Sequence, residues 1–203
     1  MPYLQTKLKI LALGGTLRPS SSGAAALRVC LAAAEHWDCS VNLITGTELD
    51  FPTYDPSSPD RSRGVCNLLD AVRTADGLLI CSPGYHGSLS GMVKNALDYL
   101  EDLRDEPRSY LSDVPVGCIV SAAGWQACGS TLAALRAVVH ALRGWPTPIG
   151  VTFNSTSAPF RADGTCADDP LKRNLVEMTR QVVQMARLRL TSSSELISFQ
   201  GNC

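Results

Sequence analysis

Apolar residues along this chain fall into two alternating patterns. Short unbroken runs occur at Leu8–Leu13 (LKILAL), Val41–Ile44, Gly77–Cys81 (GLLIC), Val116–Ser121 and Ile149–Phe153. Their length and continuity predict strands buried on both faces. Between them lie stretches with helical spacing. Gly23–Glu35 is rich in Ala and Leu, and Val65–Ala75 is amphipathic. Gly91–Leu103 sets Met92, Val93, Ala96, Leu97 and Leu100 close to a 3.6-residue period. Thr131–Leu142 is halted by Gly144 and Pro146, and Leu171–Leu190 forms a long last helix. Leu49–Arg63 is interrupted by prolines and reads as an irregular loop. Residues 191–203 read as a loosely held tail after a single domain spanning 1–190.

Five strands alternating with helices predict an α/β domain, a doubly wound parallel sheet with helices on both faces. The natural strand order is 2-1-3-4-5. In that order the chain reverses direction between the first and third strands, and ligands bind outside the carboxyl ends of the strands at such a point. Two loops are thereby brought side by side: the one after Leu13 and the one after Cys81.

The first reads Gly14-Gly15-Thr16-Leu17-Arg18-Pro19-Ser20-Ser21-Ser22-Gly23 and runs into a helix. Glycines let the backbone turn sharply and approach a ligand. Thr16, Ser20, Ser21 and Ser22 offer hydroxyls, the helix N-terminus offers free amides and partial positive charge, and Arg18 adds a planar fork of donors. Together they point to an anion site of the kind that takes a phosphate. The bland account is a serine-rich turn and N-cap. The loop is neither a Walker A sequence nor GxGxxG. The second loop, Pro83-Gly84-Tyr85-His86-Gly87, is rich in backbone groups and poor in bulk. It is thin enough for a planar heterocycle to lie against its amides, with Tyr85 and His86 beside the ring. Ser88 and Ser90 read as N-caps of the next helix. GSLSG lacks the central serine of a nucleophile elbow, so no Ser/His/Asp arrangement is supported and no side chain is assigned as catalytic.

Composition changes this picture little. The 203 residues are 45% hydrophobic and 18% charged with a formal net charge of -1, values of a soluble globular protein. Near-neutrality gives no electrostatic case for nucleic acid or an anionic membrane, and it disfavours an acidic, docking-type electron carrier. No apolar run approaches the roughly 18 residues of a bilayer span. MPYLQTK lacks signal-peptide architecture, so a cytoplasmic protein is expected. The eight cysteines show neither CxxC nor metal-type clustering, so no metal is assigned and disulfides are not expected. Asn154-Ser155-Thr156 matches a glycosylation acceptor but reads as ordinary loop.

The two loops together resemble the NAD(P)H-dependent FMN reductases of the flavodoxin-like fold, a group that includes related quinone, chromate and azo-dye reductases. Members carry a Gly-Ser-Leu-Arg-x-x-Ser-x-Asn loop, here Gly15–Gly23. They also carry Pro-Glu-Tyr-Asn-Gly-Ser-x-x-Gly-x-x-Lys-Asn-Ala-x-Asp, here Pro83–Asp98. The likeness extends to a third loop, Ala122-Ala123-Gly124, and covers about residues 7–190. It implies FMN as cofactor, held by Thr16, Arg18, Ser20, Ser21, Ser22, Pro83, Gly84, Tyr85, His86, Gly87, Ala123 and Gly124. It implies NADPH or NADH as hydride donor, a small-molecule acceptor, and a homodimer or homotetramer. A flavin-dependent monooxygenase is a further implied partner. Three departures stand out: Gly23 where the family has Asn, Gly84 where it has Glu, and His86 where it has Asn. For Lys94 and Asn95 the resemblance suggests ligand contacts, but helix packing and surface charge are the favoured account, whereas Trp125, after the third loop, either lines the flavin face or plugs a dimer contact. A flavodoxin-type carrier and a flavin enzyme acting on a dedicated biosynthetic substrate remain the alternatives.

Overall fold

The computed structural model describes residues 7–18 and 20–200. A parallel sheet in the order β2-β1-β3-β5 forms its centre, from β2 (Ser40–Thr45), β1 (Lys9–Gly14), β3 (Gly77–Tyr85) and β5 (Pro115–Ala122). Successive strand residues feed opposite cores, as a sheet covered on both faces requires. Ile10, Ala12, Leu79, Cys81 and Ile119 pack against α1 (Ser22–His36) and α5 (Asp169–Gln200). Leu11, Leu13, Leu78, Ile80, Cys118 and Val120 pack against the other layer. That layer holds α2 (Arg63–Thr74), α3 (Gly91–Asp98) and α4 (Trp125–Ala141).

The predicted order and the parallel, doubly wound arrangement hold, but among the described residues the sheet has seven strands rather than five. Two local causes account for the difference. The fifth strand is split: β6 (Trp145–Pro146) pairs with Pro115–Val116, and β7 (Val151–Asn154) pairs with Ile119–Ala122 along the same edge of β5. Pro146 and Pro148 lack the amides that an unbroken ladder needs. The other addition is β4 (Ser88–Leu89), which folds back antiparallel on the end of β3. β3 itself continues four residues past the predicted Cys81. Pro83 is tolerated because its neighbour β1 has ended at the register of Cys81, and only β5 pairs there.

Helix ends shift for similarly local reasons. Gly91–Leu103 is α-helical only to Asp98 and finishes as a 3₁₀ turn over Tyr99–Leu103. α4 starts at Trp125, six residues before the predicted Thr131. α5 continues as helix through residues 191–200, where a tail was expected. Residues 201–203 of that expected tail lie outside the described residues. Among the described residues no helix is long and apolar enough to cross a membrane.

The seven described cysteines are free. Burial pushes the Cys30 and Cys118 thiols up to about 12 and raises Cys81 too, which keeps all three protonated and unreactive at neutral pH. Alkylation of the native protein followed by peptide mapping should therefore modify Cys66, which is exposed, and the half-buried Cys166, while sparing those three. Labelling of Cys81 as fast as Cys66 would contradict the closed packing of β3 under α1.

Candidate functional site

The turn leaving β1 is built on a close approach of two backbones. Gly14 (φ +135) and Gly15 (φ +96) adopt conformations that side-chain-bearing residues avoid. The Gly15 amide donates to the Cys81 carbonyl of β3 at 3.1 Å, and Thr45 Oγ1 donates to the Gly14 carbonyl at 2.7 Å. Two of the predicted hydroxyl residues then shape the loop. Thr16 Oγ1 accepts from the Arg18 amide (3.2 Å), and Ser21 caps α1 by accepting from the Ala24 amide (3.3 Å). Both keep their O–H protons to donate. Ser20 and Ser22 have side chains free of hydrogen-bond partners among the described residues. The first turn of α1 holds no acidic residue, and Arg18 has no acidic partner among the described residues. Positive potential therefore collects at the mouth of this loop.

The second loop is a hairpin tip. His86 (φ +52) and Gly87 (φ +82) join β3 to β4 with both central residues left-handed, the geometry of a type I′ turn. Histidine and asparagine both tolerate this region, so the departure at His86 preserves the backbone. Gly84 is closed in from behind: a Cβ there would lie 2.7 Å from Thr131 Oγ1 and 3.2 Å from the Ala122 Cβ, leaving no room for the family's glutamate. Ser82, fully buried, fixes the hairpin base by donating to the Pro83 carbonyl (2.9 Å) and accepting from the Ser90 amide (3.0 Å). Ser90 caps α3 as expected, whereas Ser88 lies in β4 and is not a cap. Lys94 pairs with Asp98 at 2.5 Å on the helix surface. Asn95 holds the 50–62 loop, accepting from the Tyr54 amide (2.8 Å) and donating to the Pro52 carbonyl (2.8 Å). Their geometry is that of packing and surface charge.

The two loops meet in one cavity of about 260 Å³ at the carboxyl ends of β1, β3 and β5. Of the predicted residues, Thr16, Arg18, Ser20, Ser21, Ser22, Pro83, Gly84, Tyr85 and Ala123 line it. His86, Gly87 and Gly124 line an adjoining depression of about 400 Å³ between the hairpin tip and the start of α4. Sequence reasoning missed Ser121 and Ser155, which also face the cavity. Ser121 was hidden inside an apolar run, and the one motif match at Ser155, a glycosylation acceptor read as ordinary loop, points to no cavity. Tyr85, which lines the cavity, and Trp125, the first residue of α4 after Gly124, stand 53% and 66% exposed, two large rings at the surface rather than in the core. One end of the cavity thus offers hydroxyls, helix amides and a guanidinium, a donor set suited to an oxyanion. The other offers a thin, amide-rich edge suited to a flat ring.

Residues 8–158 match the family described as NADPH-dependent FMN reductase. An FMN-dependent NADPH-azoreductase of Staphylococcus aureus is 31% identical over 118 residues, 58% of this chain and 59% of that protein. The chain thus spans about three-fifths of the length of the curated relatives it matches. Among solved structures, the flavoenzyme NAD(P)H:(acceptor) oxidoreductase FerB of Paracoccus denitrificans superposes with a TM-score of 0.70 at 22% identity, covering 89% of this chain and 97% of FerB. RosB, solved with a bound 8-demethyl-8-formylriboflavin-5'-phosphate, gives a TM-score of 0.71 at 14% identity, covering 95% and 87%. At these identities the structural likeness establishes the fold.

Proposed function

This chain belongs to the NADPH-dependent FMN reductase family, and from that premise we propose that it is an FMN-dependent NAD(P)H oxidoreductase. It would take reducing equivalents from NADPH or NADH and pass them to free flavin, a quinone or another small acceptor. One observation carries the reading: Arg18 with Ser20–Ser22, and Pro83–Tyr85, distant in sequence, line a single cavity. Its donor set fits FMN, with phosphate at the first loop and ring at the hairpin.

When bound, FMN supplies the two-electron exchange between nicotinamide and acceptor. The chain's own residues bind and orient. Arg18, the α1 amides and the serine hydroxyls would grip the phosphate. Backbone amides of Gly84–Gly87 and Ala123–Gly124 would border the ring and favour negative charge at its polar edge. Tyr85 and Trp125 would flank the open side where nicotinamide and acceptor take turns, shielding it from water. No acid or base is required of a side chain, and the contribution to rate is orientation, worth several kcal/mol. Leu17, Tyr85 and Trp125, large exposed apolar residues in or next to the three loops of the site, support a second copy packing there, hence a homodimer or homotetramer. A cytoplasmic setting, and a flavin-dependent monooxygenase receiving reduced flavin, complete the proposal.

The test is an anaerobic spectral titration. FMN retained through gel filtration and bleached by NADPH or NADH supports the reading. Protein that retains no FMN, or holds FMN that neither nucleotide reduces, ends it. Within that assay Arg18→Ala should weaken FMN about 10- to 100-fold, the worth of a hydrogen bond to a charged group. Riboflavin, which lacks the phosphate, should bind the variant as it binds the wild type. Equal losses for both ligands would remove Arg18 from the phosphate end.

A further inference from the structure

The peptide group that joins Gly14 to Gly15 is held at both ends. Its carbonyl accepts from the Thr45 hydroxyl at 2.7 Å, and its amide donates to the Cys81 carbonyl at 3.1 Å. The two holds differ in kind. Cys81 belongs to β3, a strand paired on both sides, and acts through its backbone. Thr45 ends β2, the outermost strand of the order, where it stands in register with Gly14 and acts through its side chain. Pairing of β1 with β2 uses backbone groups alone, so a residue without a hydroxyl would serve the sheet as well.

A peptide between two glycines is the one that most needs a second hold. Its rotation changes only ψ of Gly14 and φ of Gly15, and no Cβ on either side opposes it. Gly15 lies at φ +96, an angle that sets the direction in which the first loop leaves the sheet. Gly15 also sits beneath the start of α1. A Cβ on it would stand 2.8 Å from Thr45 Oγ1 and 3.3 Å from Ser21 Oγ, and a Cβ on Gly23 would stand 3.5 Å from the Gly15 Cα. Thr45 therefore presses on one side of Gly15 while the cap of α1 rests on another. Yet Thr45 does not line the cavity, and neither does any other residue of β2.

We propose that Thr45 is a positioning residue for the phosphate end of the cofactor cradle: its hydroxyl fixes the plane of the Gly14–Gly15 peptide, and through Gly15 the first loop and the amides of α1 that face the phosphate. The proposal rests on the FMN reading above. Thr45 acts without touching the cofactor, so its effect belongs to the phosphate and not to the ring, whose border is carried by β3 and the third loop.

Two ligands and two substitutions test this. FMN and riboflavin, which lacks the phosphate, are titrated by fluorescence against the purified protein and its Thr45→Ala and Thr45→Ser variants, and urea midpoints are measured in parallel. Thr45→Ala should weaken FMN about three- to tenfold, the worth of one neutral hydrogen bond, and riboflavin less than about twofold. Thr45→Ser, which loses the methyl group and keeps the donor, should hold both flavins as the wild type does. Unchanged FMN affinity in Thr45→Ala would overturn the proposal. So would an equal loss for both flavins, or a lowered midpoint with an unchanged ratio of the two affinities, the mark of a residue that serves the fold alone. A Thr45→Ser protein as weak as Thr45→Ala would assign the effect to the methyl group and overturn it too. Should Thr45→Ala fail to fold, Thr45→Val, which keeps the branched shape favoured in strands and cannot donate, decides in its place. Wild-type protein that holds FMN no more tightly than riboflavin would overturn this proposal and leave the parent reading standing. Wild-type protein that binds neither flavin would end both.

Discussion

Gly14→Ala should yield little or no folded protein, with a loss above roughly 4 kcal/mol wherever enough survives to measure, against a total stability of about 5–15 kcal/mol. The reason is geometric. A methyl group at Gly14 would overlap the Cys81 carbonyl oxygen and lie 2.7 Å from its carbonyl carbon. That carbonyl cannot retreat, because it accepts the Gly15 amide and belongs to a strand paired on both sides. The left-handed φ adds a further penalty for any L-residue with a side chain. Gly91→Ala is the matched control. Gly91 opens α3, has nothing within 4 Å of where its methyl would sit and no left-handed φ, so the exchange should be neutral or stabilise by up to about 1 kcal/mol. Soluble yield and the urea midpoint of both variants check the pair. A Gly14→Ala protein with an unchanged midpoint would mean that the first loop does not rest on β3, and the cavity would lose its floor.

Much of this was legible in the sequence because buried parallel strands write themselves as unbroken apolar runs. Leu8–Leu13 and Gly77–Cys81 could be placed for that reason, and their order put the first loop and the hairpin side by side. What the sequence hid has three physical sources. Pairing beyond an apolar run leaves no hydrophobic trace, so β3 was cut at Cys81, although its last residues carry the hairpin that borders the cavity. Prolines that break a ladder without ending the strand direction, as at Pro146 and Pro148, cannot be distinguished by pattern from those that end it. Side-chain direction at the end of a strand is fixed by the sheet and not by neighbours in sequence, so Ser121 looked like one more member of a buried run. The departures at Gly23, Gly84 and His86 were visible, but their meaning was not. It depends on Cys81, Thr131 and a left-handed turn, all supplied by other segments or by the backbone.

Gly23→Asn, which restores the residue typical of the family, should therefore harm this protein, by about 1–3 kcal/mol of stability. Gly23 lies in the first turn of α1, and a Cβ there would stand 2.9 Å from Cys81 Sγ and 3.5 Å from the Gly15 Cα. The sulfur is wholly buried in the middle of the sheet and has nowhere to go. Relief must come from α1 lifting away, which moves the Ser21 cap and the helix amides back from the cavity. FMN affinity should fall together with stability, and riboflavin affinity should fall less, because the displaced groups serve the phosphate. Cys81→Ala removes the obstructing sulfur. In the double variant the asparagine should fit, and the two changes should be less damaging together than their sum by about 0.5–3 kcal/mol, the coupling expected of side chains in direct contact. Urea unfolding of the four proteins closes the cycle, and FMN titration shows whether the cradle recovers with the fold. Strict additivity would mean that Cys81 is not what excludes a side chain at position 23. Recovery of stability without recovery of FMN affinity would mean that the amides of α1, once back in place, do not hold the phosphate.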